Sequence, residues 1–253
     1  MSAPISSVDF TQRLALGLEP IDVQRSHRVA TILKVRREGK AGTLEPVPRH
    51  DSCVHAFLQR PALANPFDLR LTDDSRRYVP RRLSISLAPP AATKLSPGLF
   101  PGAAYDCTSR ATGIRGSATR AGAALRWARV EARLPADTAV KGAVVGRAHG
   151  DDRGEFLLLL GVEAATIGDL PLAIDLEVVV YAPLPNPPAP GTPDLPSLDP
   201  LWDLPLEVVP TTSPDDVTPG LRLPPGYGFT STSHPTISFE MGRLKSIPPI
   251  VFQ

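Results

Sequence analysis

Gly146-Arg-Ala-His-Gly-Asp-Asp-Arg-Gly-Glu-Phe-Leu-Leu-Leu-Leu160 is the stretch on which the reading of the fold turns. It reads as a strand, an acidic turn bearing a glycine, and a second strand. Asp151, Asp152 and Gly154 suit a chain reversal, and Phe156 opens a run too apolar for a solvated loop. Both alternating faces of Glu155–Leu160 are apolar, as expected of a strand covered on two sides. Downstream, Leu172-Ala-Ile-Asp-Leu-Glu-Val-Val-Val-Tyr181 puts Leu172, Ile174, Leu176, Val178 and Val180 on one face and points Asp175 and Glu177 away. That alternation predicts a half-buried strand. Upstream, 121–134 carries two patterns. Its Ala, Leu, Arg and Glu content suits a helix of about three turns, while Ala128, Val130, Ala132 and Leu134 would share one strand face. The neighbouring strands tip the expectation to strand.

Composition agrees with a β fold. Thirty prolines in 253 residues cannot sit in a mostly helical chain, because proline lacks the amide proton and clashes with the preceding turn. A hydrophobic fraction of 42% is ordinary for a globular protein. The formal net charge of +1 argues against a general nucleic-acid binder. Two cysteines, Cys53 and Cys107, do not make a disulfide framework, and free thiols are the simpler reading. The first residues lack a basic segment followed by an apolar one. Apolar runs fall far short of the ~20 residues that cross a bilayer. A cytoplasmic protein without membrane insertion is expected.

The organisation read from the chain is all-β: two small β-sandwich-like domains with a proline-rich extended C-terminal arm. Residues 1–87 form the first domain, with strands at Arg28–Val35, Val54–Leu58, Phe67–Leu71 and Arg76–Leu87 and turns at Glu38–Gly42 and Thr72–Ser75. In its last strand Val79, Leu83, Ile85 and Leu87 share a face, and Pro80 marks an edge or a break. Residues 88–105 read as a linker, 106–182 as the second domain, and 183–253 as arm, strand and tail. Prolines every few residues exclude helix and central strand from Pro183 to Pro225. Leu198, Leu201, Trp202, Leu204, Leu206, Val208 and Val209 are nevertheless more apolar surface than a solvated linker needs. Thr236–Leu244 alternates cleanly, and the tail Ile247–Gln253 needs a surface to cover it.

Ile114 through Ala132, followed by Gly146 through Leu160, resembles the carboxypeptidase regulatory-like (transthyretin-like) domain, over about residues 112–182. Ala128-Arg-Val-Glu-Ala132 matches its A-x-V-x-A element, and Gly150-Asp-Asp-Arg-Gly-Glu-Phe-Leu-Leu158 matches T-D-x-x-G-x-F-x-L, with Gly150 in place of the threonine. The resemblance implies a small β-sandwich without catalytic residues, acting as a stability or protein-contact module. By analogy of architecture alone, the whole chain is similar to accessory components of phage-tail-like contractile injection systems.

Candidate chemistry is sparse. His50, Cys53 and His55 would supply three metal ligands if they converged, but on one strand His50 opposes the other two. Cys53 beside His55 lacks an orienting acid for nucleophilic work. Asp73 and Asp74, like Asp151, Asp152 and Glu155, read as solvated turns rather than a calcium loop. No phosphate-binding, dinucleotide or hydrolase motif is present. The expectation is a non-enzymatic structural or adaptor protein without cofactor or metal, whose partners are protein subunits of a larger assembly. Its contact residues would be Arg76, Arg77, Tyr78, Arg81 and Arg82, an arginine-rich edge of the kind enriched at protein contacts, with Trp202, Ile250 and Phe252 from the arm and tail. Deleting everything after about Pro183 is then expected to leave a folded protein that cannot assemble. The alternative is a glycan- or small-molecule-binding module that stacks its ligand on Trp127 and Trp202.

Overall fold

The computed structural model describes residues 13–29, 33–39, 43–58, 65–87, 93–107, 110–136, 142–161, 172–184 and 199–253. Every regular element among them is a strand. A five-stranded sheet runs in the order Leu206–Val208, Arg81–Ile85, Phe67–Thr72, Lys34–Glu38, Leu44–Pro46. A three-stranded sheet of His55–Leu58, Leu14–Leu18 and Thr93–Leu95 packs with it. Leu16, Leu18 and Phe57 of the small sheet meet Val35, Leu69, Leu71, Leu83 and Ile85 of the larger one in a single apolar core.

Residues 88–105 do not behave as a linker where they are described. Thr93–Leu95 runs parallel to Leu14–Leu18, and Gly98–Leu99 parallel to Ile21–Asp22. Proline bars helix and central strand but not short edge strands. Leu99, Phe100 and Tyr105 of this stretch are buried. Residues 88–92 lie outside the described residues.

The second sheet has ten strands. Its main path is Ala123–Ala124, Gly113–Arg120, Glu155–Leu160, Val144–His149, Arg129–Arg133, Ala173–Pro183, Tyr227–Gly228. Thr236–Glu240 adds beside Ala173–Glu177, and Leu244–Ser246 and Ile250–Val251 lie parallel to Gly113–Arg120. The sheet thus ends in two strands that are neighbours in sequence, joined through Gly242 at φ 70°. It curls until those ends meet, leaving a seam between them without a ladder among the described residues.

The stretch 121–134 is strand. Ala121 and Gly122 both have positive φ (50° and 78°) and join Arg120 to Ala123 in a two-residue hairpin, the geometry of a type I′ turn. Arg129–Arg133 is then paired on both sides. These ladders override the local helical preference.

The opening stretch does what its doubled apolarity requires. Phe156 and Leu158 enter the second core while Leu157 and Leu159 enter the first. At about 1.5–3 kcal/mol for each fully buried side chain of this kind, one strand stabilises both cores. Its turn is closed by the Asp151 carboxylate, which accepts the Arg153 and Glu155 amides at 2.8 and 3.0 Å.

The described part of the arm packs on its own chain. Leu206–Val208 pairs in parallel with Arg82–Ser84, so Arg81–Ile85 is an interior strand of its sheet and not an edge. The break at Pro80 stands as expected, with the strand starting at Arg81. Residues 185–198 of the arm, Leu198 among them, lie outside the described residues. The tail finds its cover on the second sheet, where Phe252 is 1% exposed in the same core as Phe239. A chain ending near Pro183 would lose both phenylalanines and five strands. The expectation that such a truncation stays folded is therefore corrected.

Candidate functional site

The arginine-rich segment does not form one basic surface. Arg76, in the left-handed region at φ 57°, makes a two-pronged pair with Asp152 at 2.8 and 2.9 Å and so ties the first unit to the turn of the second. Arg77 is exposed. Tyr78 is buried, its hydroxyl donating to Asp22 at 2.9 Å. Arg82 pairs with Glu38, which also takes Arg70. Arg81 is 0% exposed, so it faces inward and is unavailable to any partner.

Arg81 is instead the centre of a buried junction. Its guanidinium donates to Glu207 at 2.6 and 3.2 Å and to the carbonyls of Gly98, Val217 and Thr218 at 2.6–2.8 Å. Glu207 also accepts from Arg129 at 3.2 Å, whose guanidinium lies 5.9 Å from the centre of the Tyr227 ring. His149 is the direct cross-strand neighbour of Arg129 and stacks on Phe100 at 3.8 Å. Burial, then the charges of Arg129 and Arg81, hold its imidazole well below the ordinary histidine range. Sequence reading missed Arg129, Glu207 and His149. The available signal was a charged residue inside an apolar run, in Leu206-Glu-Val-Val209 and at the head of Arg129-Val-Glu-Ala132.

A second buried knot lies at Asp22, whose carboxylate accepts the hydroxyls of Tyr78 and Tyr105 at 2.9 and 2.8 Å and the amides of Gln24 and Arg25 at 2.8 and 3.0 Å. Burial and this carboxylate raise both tyrosines far above their ordinary value.

His50, Cys53 and His55 do not converge. Cys53 sits in a turn at φ 65° rather than on a strand. His50 bonds Ser52. His55 opens the strand His55–Leu58 in a buried position, and burial lowers its pKa. Both cysteines are free. Asp73 accepts amides of its own turn, those of Ser75, Arg77 and Tyr78. Among the described residues no group of three or more His, Cys, Asp or Glu is placed to hold a metal ion, and no helix is long and apolar enough to cross a membrane.

The aromatic residues expected to stack a ligand are not available together. Trp127 is 2% exposed and donates its indole N–H to Asp203 at 2.8 Å, which corrects its role as a binding platform. Trp202 is half-buried in the chain's return. Ile250 and Phe252 are buried in the second core, with the Arg120 guanidinium 4.4 Å over the Phe252 ring. What does open to solvent is the seam, a groove of about 550 Å³ lined by Ile237, Ser238, Lys245, Ile247, Pro249 and Val251. Its strands have one partner each, Thr236–Glu240 on one side and Leu244–Ser246 with Ile250–Val251 on the other. Val251 in its lining is 43% exposed, and Leu244, at the start of the flanking strand, is 37% exposed.

No family model matches this chain. No curated protein matches it either. Among solved structures it aligns with the Bacillus anthracis TIE protein at 9% identity and a TM-score of 0.24, over 93% of this chain and 33% of that one. The chain therefore spans about a third of the length of the structure it matches.

Proposed function

We propose that this chain is a non-enzymatic structural or adaptor protein that docks into a larger protein assembly, and that the seam is its docking surface. The observation that carries the reading is the pair of one-sided strand edges flanking an apolar groove. Unpaired strand edges present main-chain donors and acceptors that an extended segment of another protein satisfies, while the groove takes its alternate side chains. The resemblance of residues 112–182 to regulatory-like β-sandwich modules supports a protein-contact role. The class of assembly suggested by architecture is a phage-tail-like contractile injection particle. The charged side chains that chemistry would need are instead engaged within the fold, as at Arg81–Glu207 and Arg76–Asp152.

The test is L244K/V251K, which places one charge in the groove and another on the flanking strand Leu244–Ser246, a device that blocks edge pairing. In extracts of the native host, wild-type protein is expected to migrate in a defined particle by size exclusion and electron microscopy. The double variant should remain free with an unchanged melting temperature. Incorporation of the double variant at wild-type yield, or a wild-type protein found wholly as free monomer, would overturn the reading.

A further inference from the structure

His149 occupies an unusual position for a histidine. Its ring lies flat on Phe100, 3.8 Å between centroids and 16° between planes. One ring nitrogen is bonded to the backbone at Gly220. The other, Nδ1, is buried without a hydrogen-bond partner. The charges that act on it are Arg129 from the adjacent strand and Arg81 from the first unit's sheet, and both guanidiniums pair with Glu207 of the returning segment. Phe100 and Gly220 complete the enclosure without charge, Gly220 lying against both Phe100 and Arg81. Two guanidiniums are thus already matched to a single carboxylate before the imidazole is considered.

We propose that His149 is an acid-sensitive latch: protonation at Nδ1 releases the segment 199–220 from the junction while the two β units remain assembled. The new proton would sit on an atom with no acceptor, and the new charge would be a third cation against one carboxylate, without water to screen it. The segment is tied to the junction by one short ladder and otherwise by side-chain bonds, the charged ones at Glu207 foremost. Its regular structure is the three-residue strand Leu206–Val208, whereas Arg81, Arg129 and His149 stand on strands paired on both sides or within the closed sheet. Swinging the segment away lets water reach all four charged groups at once. The sign follows from linkage. With the segment released, His149 titrates near the ordinary value of about 6.5. With it docked, the ring stays neutral well below that. Docking is therefore at full strength above about 6.5 and weakens as pH falls, by up to about tenfold in the opening equilibrium for each pH unit.

The experiment is hydrogen–deuterium exchange on the full chain between neutral and mildly acidic pH, corrected for the pH dependence of intrinsic exchange. Amides of 204–221 in the wild type are expected to lose protection progressively below about pH 6.5, while those of 113–120 and 155–160 keep theirs. In H149F, which keeps an aromatic ring against Phe100 but accepts no proton, the pH dependence should vanish. Independently of that variant's folding, the wild-type His149 ring is followed by NMR, where its protonation should coincide with loss of protection in 204–221. Equal pH dependence in wild type and H149F, or a His149 ring that titrates near 6.5 with 204–221 still protected, would overturn the proposal.

Discussion

Glu207→Ala is the sharpest perturbation of the molecule's interior. The carboxylate is 2% exposed at its side chain and is the acid shared by Arg81 at 2.6 Å and Arg129 at 3.2 Å, themselves 0% and 4% exposed. Removing one member of a buried pair leaves an uncompensated charge and costs about 3–5 kcal/mol. Here two guanidiniums lose their counter-charge, which pushes toward the upper end. Arg81 keeps its bonds to the Gly98, Val217 and Thr218 carbonyls, and Arg129 keeps Trp127 O, which pulls the other way. The expected loss is about 4 kcal/mol, a large share of the 5–15 kcal/mol typical of a domain. Urea unfolding followed by tryptophan fluorescence reads it directly. Trp127 is buried with its indole N–H on Asp203 of the same returning segment. In a cycle with R81M, the two substitutions should show coupling of about 0.5–3 kcal/mol, as directly interacting residues do. A loss below about 1 kcal/mol with an unchanged denaturant slope would refute the reasoning, because it would mean that the carboxylate is solvated and the segment is not docked.

Asp22→Ala should cost about 3 kcal/mol, since it orphans two buried tyrosine hydroxyls and two amides together; thermal unfolding checks it. Tyr78 and Tyr105 are raised by burial and Asp22, and Tyr181 is pushed up to about 12 by burial. Phenolate absorbance should therefore appear well above the ordinary value of about 10. Because the unfolded tyrosines ionise first, their contribution is complete below about pH 10 and is lost as pH rises, by about 1.4 kcal/mol per unit for each ring. Gly154→Ala and Gly122→Ala separate strain from crowding. Both have φ above 70°, costing about 1 kcal/mol, but a Cβ at Gly154 would meet Ala118 O at 2.6 Å whereas Gly122 faces open space. Chemical denaturation should show the Gly154 variant markedly the weaker of the two. Phe252→Ala should cost about 3–5 kcal/mol as a buried aromatic truncation, and a loss near zero would place the tail outside the core.

Much of the fold was legible because it rests on local alternation. Glu155–Leu160, Ala173–Pro183 and Thr236–Glu240 announce themselves by period, and Asp151 with Gly154 by turn chemistry. Residues 88–105 misled because proline density was read as absence of structure. Proline forbids helix and central strand but is compatible with the two short parallel edges that Thr93–Leu95 and Gly98–Leu99 form. The arginine segment misled for a different reason. Sequence shows that Arg76, Arg77, Arg81 and Arg82 are close along the chain, but not that their acids lie at Asp152, Glu207 and Glu38. Separations of 76 and 126 residues leave no local trace. The seam was equally invisible, since it exists only because the sheet closes on itself.

The same long-range pairs explain how a proline-rich return finds its place. Apolar burial is non-directional, so Leu204 and Val209, though buried, do not by themselves fix the register of a segment with one short ladder. Directional bonds do. Glu207 meets Arg81 and Arg129, Asp203 meets Trp127 and Arg126, and Asp199 meets Arg70. Three acids at intervals of four residues are each claimed by a basic or N–H donor from a different part of the fold, which admits one register and penalises a slip by stranding charges. That arrangement also confines the segment's release to conditions that change a charge inside the junction, which is where His149 stands.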